Sequence, residues 1–199
     1  MYLSKFEFIS ESHRTAAALN NYQELHKDIQ SMYVGNRAEE NVLYRVVPTK
    51  TVVYLYVQSS AAPATGSVHH LRLIFCKSLD AILHESNSTG RVFRFDTICS
   101  AAYRTNTGKK NSVRRHYKNA PAREEWLYNK LKSAGCEVLN CEELVTEPME
   151  IKRDGVTFNF PVTRFCGVIK VSDAHQFRKM IASGIGPEKA YGCGMFMIA

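Results

Sequence analysis

The 199 residues hold no run of about 18 apolar side chains, the length a helix needs to cross a bilayer. The opening "MYLSKFEFIS" also lacks the basic-then-apolar layout of a secretory signal. Both absences lead us to expect a cytoplasmic protein without a membrane partner. There is no C-x-x-C pair among the six cysteines at 76, 99, 136, 141, 166 and 193, and "CEVLNC" is too widely spaced for a zinc knuckle. We expect buried thiols, with no metal, no cofactor and no disulfide. No G-x-x-x-x-G-K-[ST] loop occurs, and no strand leads into G-x-G-x-x-G with a later acid, so a nucleotide-binding enzyme is a poor reading. No Ser/His/Asp arrangement or clustered carboxylate pair stands out.

Charge of one sign is missing from all but one place. Eight of the 26 Lys and Arg lie in residues 91–118, against Asp96 alone of the 19 acids. That leaves eighteen of each sign elsewhere, so the whole net charge of +7 sits in this segment. A one-sign cluster makes a local positive field to which a polyanion responds. Nucleic-acid contact is the expected use of Arg91, Arg94, Arg104, Lys109, Lys110, Arg114, Arg115 and Lys118.

The length allows two small domains. Residues 1–9 alternate as a half-buried strand, and a helix is expected over 15–33, interrupted near Asn21. "NVLYRVVP" and "TVVYLYVQS" read as a hairpin about "PTK". Residues 59–90 are the least readable, and "SNSTG" at 86–90 is the expected boundary. In the second half "RVFRFDTICSAAYR" reads as one strand, "TNTGKKNS" as a turn and "VRRHYK" as a return strand. "APAREEWLYNKLKSAG" is a helix with Pro at its start and Gly135 as its stop. Two strands joined at "KRDG", a helix begun at Asp173 and a last strand "MFMIA" complete the chain. The economical reading is α+β: two tandem β-α-β-β-α-β units with antiparallel sheets, divided as 1–88 and 89–199. Neither half shows the aromatic string of a base-stacking RNA-recognition fold, which favours structured RNA over single strands.

The ending "GIGPEKAYGCGMFMIA", the start "MYLSK", "YQELH" on the first helix and "EEWLYNKL" after a basic segment occur together and in order. In this the chain resembles the Cas6 family of CRISPR endoribonucleases, and within it the subtype I-E branch, Cas6e. The resemblance implies two tandem ferredoxin-like (RRM-like) folds. It implies metal-independent cleavage of CRISPR repeat RNA at the base of a stem-loop, and an enzyme that stays on its product beside other Cascade subunits. It also implies a basic β-hairpin, near residues 104–116, carrying His116 among its cations. There are departures. Tyr22 and His26 stand four apart where the family has three, and "FRFDTIC" puts Asp96 where the family tends to carry a second arginine after the one matched by Arg94.

RNA brings its own nucleophile, the 2′-hydroxyl, so a metal-free ribonuclease needs proton transfer, in-line geometry and charge for the phosphorane. Histidine suits the first, with an ordinary pKa of about 6.5. His26 is the expected general base, or the acid for the 5′-oxygen; both roles stay open. Tyr22 is expected to place the 2′-hydroxyl or a phosphate oxygen, or else to pack between helix and sheet. Lys27 is a candidate for phosphate contact. In the glycine-rich loop, Gly184, Gly186 and Gly192 could bring backbone N–H groups against RNA, beside Lys189, which matches a lysine of the family loop. The competing reading of this loop is a tight turn that packs the two halves together. The competing reading of the whole protein is an RNA-binding module that does not cut.

Overall fold

In the computed structural model, residues 1–35, 39–84, 88–106, 112–153 and 155–199 are described. The first half runs β1 (Tyr2–Phe8), α1 (His13–Asn20), α2 (Tyr22–Gln30), β2 (Leu43–Pro48), β3 (Val53–Ser59), β4 (Leu71–Ser78) and a short α3 (Asp80–Leu83). The second runs β5 (Val92–Cys99), β6 (Ala102–Thr105), β7 (Val113–His116), α4 (Ala120–Ser133), β8 (Cys136–Arg153), β9 (Val156–Val171), α5 (Ala174–Ser183) and β10 (Phe196–Ile198). The two four-stranded sheets are ordered β2-β3-β1-β4 and β10-β5-β9-β8, with every pairing antiparallel. Each places its first strand between its third and fourth, the ferredoxin-like order. The sheets fall on either side of residues 79–91.

Local signals set most element ends. In β1, Ser4, Phe6 and Phe8 turn into the core while Leu3, Lys5 and Glu7 alternate outward. The first helix is broken where expected: Asn21 is extended (φ −145°, ψ 101°), and its side chain caps α2 by accepting from Gln23 N at 3.0 Å. Asn119 caps α4 through Ala122 N at 2.9 Å, and Asp173 caps α5 through Gln176 N at 3.0 Å. Among the described residues no helix is long and apolar enough to cross a membrane.

Two expectations are corrected. The segment 91–104 is not one strand: β5 ends at Cys99, and the chain turns through Ser100 and Ala101, both buried, before β6 begins. The first unit also lacks its second crossover helix. Between β3 and β4, Pro63 and Gly66 interrupt the chain and only a 3₁₀ turn, Thr65–Ser67, forms. Residues 107–111 of the expected turn at 105–112, Asp154 of the expected turn at 152–155, and residues 86 and 87 of the expected boundary at 86–90 lie outside the described residues, so Lys109 and Lys110 receive no placement.

Two apolar cores lie under the two sheets, around Phe6, Leu25, Ile29 and Leu55 in the first half and Phe95, Trp126, Leu127, Phe165 and Phe177 in the second. β9 pairs with β5 only over Thr163–Lys170, so β8 and β9 continue beyond the sheet as a two-stranded arm. The arm's Ile151 and Phe160 pack on Tyr191 and Cys193 of the glycine-rich loop, and Tyr22 of α2 joins them from the other half. Polar contacts add to this junction: Gln58 Nε2 donates to Ile181 O at 2.6 Å and Tyr44 Oη to Ala190 O at 2.8 Å. All six cysteines are free; Cys99, Cys136 and Cys193 are buried and the others half-buried.

Candidate nucleic-acid interface

Tyr22 and His26 sit one helical turn apart on α2, so a spacing of four leaves both on one face. Leu25 and Ile29, on another face, bury into the first core. The Tyr22 ring lies against both that core and the arm, and burial, with Cys193 nearby, raises its phenol above the ordinary value. It is therefore a neutral side chain with an O–H to donate. His26 is half-buried. Its helix runs beside strand β8 and beside the 3₁₀ turn Lys189–Tyr191. The fold thus brings His26 and Lys189, 163 positions apart in sequence, onto adjoining elements. Lys27 is exposed and tied to Glu24, its Nζ 2.8 Å from Glu24 Oε1.

Each of the three glycines packs closely against the protein's own atoms. A Cβ on Gly184 would lie 2.8 Å from Gly194 O and 2.9 Å from both Leu43 methyls. At Gly192 φ is +84°, and a Cβ would lie 3.2 Å from the Tyr44 ring. At Gly186 the neighbour is Trp126, at 3.0 Å. The side of each glycine that a Cβ would take is filled by the protein's own side chains and backbone.

Strands β6 and β7 form the basic hairpin, with Arg104 directly opposite Arg114 and Tyr103 opposite Arg115. The strand alternation puts Arg104, Arg114 and His116 on one face and Arg115 on the other. Like charges directly opposite one another repel. Arg114 is held by an ion pair to Glu188, in the glycine-rich loop, and Arg104 donates to Ser112 Oγ at 3.1 Å. His116 is turned inward: its ring stacks on Phe160 (centroids 6.4 Å apart, planes at 18°) and its Nε2 is buried without a hydrogen bond. Burial lowers its pKa, with Glu188 opposing and Arg114 assisting. The expected phosphate contact by His116 therefore has no exposed nitrogen at Nε2 to make it. Arg115 and Lys118 are exposed.

A groove of about 470 Å³ runs between α4, α5 and the glycine-rich loop, lined by Lys130, Lys179 and Lys189 over Trp126. It continues past Pro187 and Lys130 into a second hollow of about 400 Å³ lined by Arg104 and Arg114. Sequence reasoning missed Lys130, which sits in a helix that also carries Glu124 and Glu125, and Lys179, which lies outside the segment that holds the net charge. The signal was helical spacing: Lys130 stands four residues after Trp126, on the same face.

Arg94 belongs elsewhere. It lines a cleft between the two sheets with Arg45, Tyr56, Asp96 and Arg164. Asp96, the departure from the family pattern, joins the halves: Arg45 Nη1 approaches its Oδ1 at 2.7 Å and Arg164 Nη2 its Oδ2 at 2.5 Å. Burial pushes the Asp96 carboxyl up, but the hydrogen bonds from Arg164 and Arg45 win and hold it below the ordinary value.

A lysine-lined groove with a basic hairpin at its end can hold a polyanion, and the turn that brings Lys189 to the groove adjoins the helix that carries His26. Solved structures share this fold. One of the CRISPR endoribonuclease Cse3 bound to a 19-nt RNA superposes with a TM-score of 0.88 at 22% identity over all of both chains. One of Thermus thermophilus Cse3, bound to an RNA representing a pre-cleavage complex, gives 0.84 at 20% over all of both chains. The Cascade subunit CasE of Escherichia coli (strain K12) is 31% identical over 74 residues, a match that spans 37% of this chain and 37% of that protein. The profile of the CRISPR associated protein family matches residues 1–199, the full length of the sequence, and the chain belongs to that family.

Proposed function

We propose that this protein is a metal-independent endoribonuclease of the Cas6e type, which binds and cuts the stem-loop repeat of CRISPR precursor RNA and stays on the product as a Cascade subunit. The observation that carries the reading is the placement of the His26 helix beside the Lys189 turn, at the end of the basic groove. The likeness of fold to Cse3 bound to RNA and the partial match to a Cascade subunit support it.

In the reaction the 2′-oxygen attacks the adjacent phosphorus as the bond to the 5′-oxygen breaks. One proton leaves the 2′-hydroxyl and one reaches the 5′-oxygen. His26 is the group for one of these transfers, and Lys189 supplies charge for the phosphorane. Neutral Tyr22 donates from its hydroxyl to hold the 2′-oxygen or a phosphate oxygen. The stem lies along the groove, with Arg104, Arg114, Lys130 and Lys179 on its phosphates. The products are a 5′-hydroxyl and a 2′,3′-cyclic phosphate, which a water molecule can open in a second step to a 3′-phosphate.

The test is incubation of the purified protein with stem-loop repeat RNAs in excess chelator. Cleavage at one position is expected, and a 2′-deoxyribose just upstream of the cut should abolish it while leaving binding intact. Cleavage that survives the deoxy substitution would sink the mechanism. Tight binding of the all-ribose stem-loop without cutting would leave an RNA-binding module.

A further inference from the structure

Helix α2 carries His26 but is only nine residues long and starts from an extended residue, so its pose comes from its contacts and not from its own stability. Leu25 and Ile29 set its depth on the sheet. A charged clamp grips the faces turned away from His26. Arg14, on α1, donates from Nε to Asp28 Oδ2 at 3.1 Å, from Nη2 to Asp28 Oδ1 at 2.5 Å and from Nη1 to Glu24 Oε2 at 3.2 Å. Asp28 and Glu24 each lie two residues from His26, about 200° around the helix.

His70 closes the clamp from the turn just before β4. Its Nε2 is 3.2 Å from Asp28 Oδ2, off the line of a hydrogen bond, and the ring is only 5% exposed. Burial lowers the pKa of His70; Asp28 pulls it upward, and Arg14 and His69 push it further down. The ring is uncharged at neutral pH, so the Asp28 charge is met chiefly by the Arg14 fork. The clamp is itself anchored, since His70 O accepts from Ile9 N at 2.9 Å and Ile9 O from the Thr15 hydroxyl at 2.7 Å.

We infer that Arg14, Asp28 and His70 are positioning residues for His26: together they hold the rotation of α2 that presents the imidazole to the RNA. The inference rests on the catalytic reading of His26. Proton transfer tolerates little misplacement, and a shift of about 1 Å costs on the order of a hundredfold in rate.

The experiment compares Asp28→Asn, Arg14→Lys and His26→Ala with the parent. It reads single-turnover cleavage at saturating stem-loop RNA, and Kd for the same RNA with 2′-deoxyribose at the cut. Asp28→Asn should lower the cleavage rate constant about tenfold or more with Kd unchanged within about twofold. Arg14→Lys, which keeps the charge without the fork, should lie between Asp28→Asn and the parent. A folded Asp28→Asn that cuts at the parental rate overturns the inference, and so does a loss of Kd parallel to the loss of rate. Should Asp28→Asn fail to fold, Arg14→Lys decides by the same two outcomes. His26→Ala separates the levels: normal cutting by this variant overturns the catalytic reading and the positioning with it. Loss of cutting by His26→Ala beside a normal Asp28→Asn overturns the positioning alone.

Discussion

The Tyr44 hydroxyl, on a strand of the first half, donates to the Ala190 carbonyl in the glycine-rich loop of the second at 2.8 Å, and the same ring stands 3.2 Å from where a Cβ on Gly192 would be. One side chain thus sets both the position of the loop and the residue type it can carry there. Removing the hydroxyl leaves a carbonyl short of its partner. Tyr44→Phe should lose about 1 kcal/mol, read as a fall of roughly 2–4 °C in Tm.

Gly192→Ala meets two obstacles, the positive φ and the Tyr44 ring. A left-handed residue other than glycine costs about 1–2 kcal/mol. The expected drop in Tm is about 3–6 °C, and an unchanged melting curve would show that the loop relaxes freely.

Salt dependence reports on phosphate contacts. Arg104→Ala and Lys130→Ala should each weaken stem-loop binding and reduce the slope of log K against log salt by about one. A variant that keeps the parental slope has no phosphate under it.

Glu188 holds Arg114 by an ion pair, and on the proposed reading RNA would have to compete with it for that guanidinium. Freeing the guanidinium with Glu188→Gln removes an exposed-type pair worth roughly 0.6 kcal/mol. Binding at low salt should tighten about threefold. Weaker binding would mean that the pair orders the hairpin for RNA.

Acid should part the halves at Asp96. Its carboxyl titrates below the ordinary value of about 3.9, so its stabilisation is complete above that pH and is lost as pH falls through the lower folded value. Asp96→Asn leaves Arg45, 6% exposed, without its charge partner. It should melt several degrees below the parent at pH 7, with the gap closing below about pH 4. A gap independent of pH would assign the effect to packing.

Much of this was legible in the chain. The break at Asn21 and the caps Asn119 and Asp173 lie within a few residues of the backbone groups they satisfy. The basic hairpin announced itself as the one segment that holds the net charge. The absent crossover helix of the first unit was not legible, because Pro63 and Gly66 mark a break without showing that a sheet can close its order across it.

The sequence by itself determined most of the element types, the basic segment and the shared face of Tyr22 and His26, all consequences of neighbours a few positions apart and the period of the backbone. Only the tertiary structure decided where the glycines look, why Asp96 is tolerated among arginines, which lysines line the groove and what grips the back of α2. Each of those depends on partners brought together from distant parts of the chain, where neither periodicity nor spacing carries the contact.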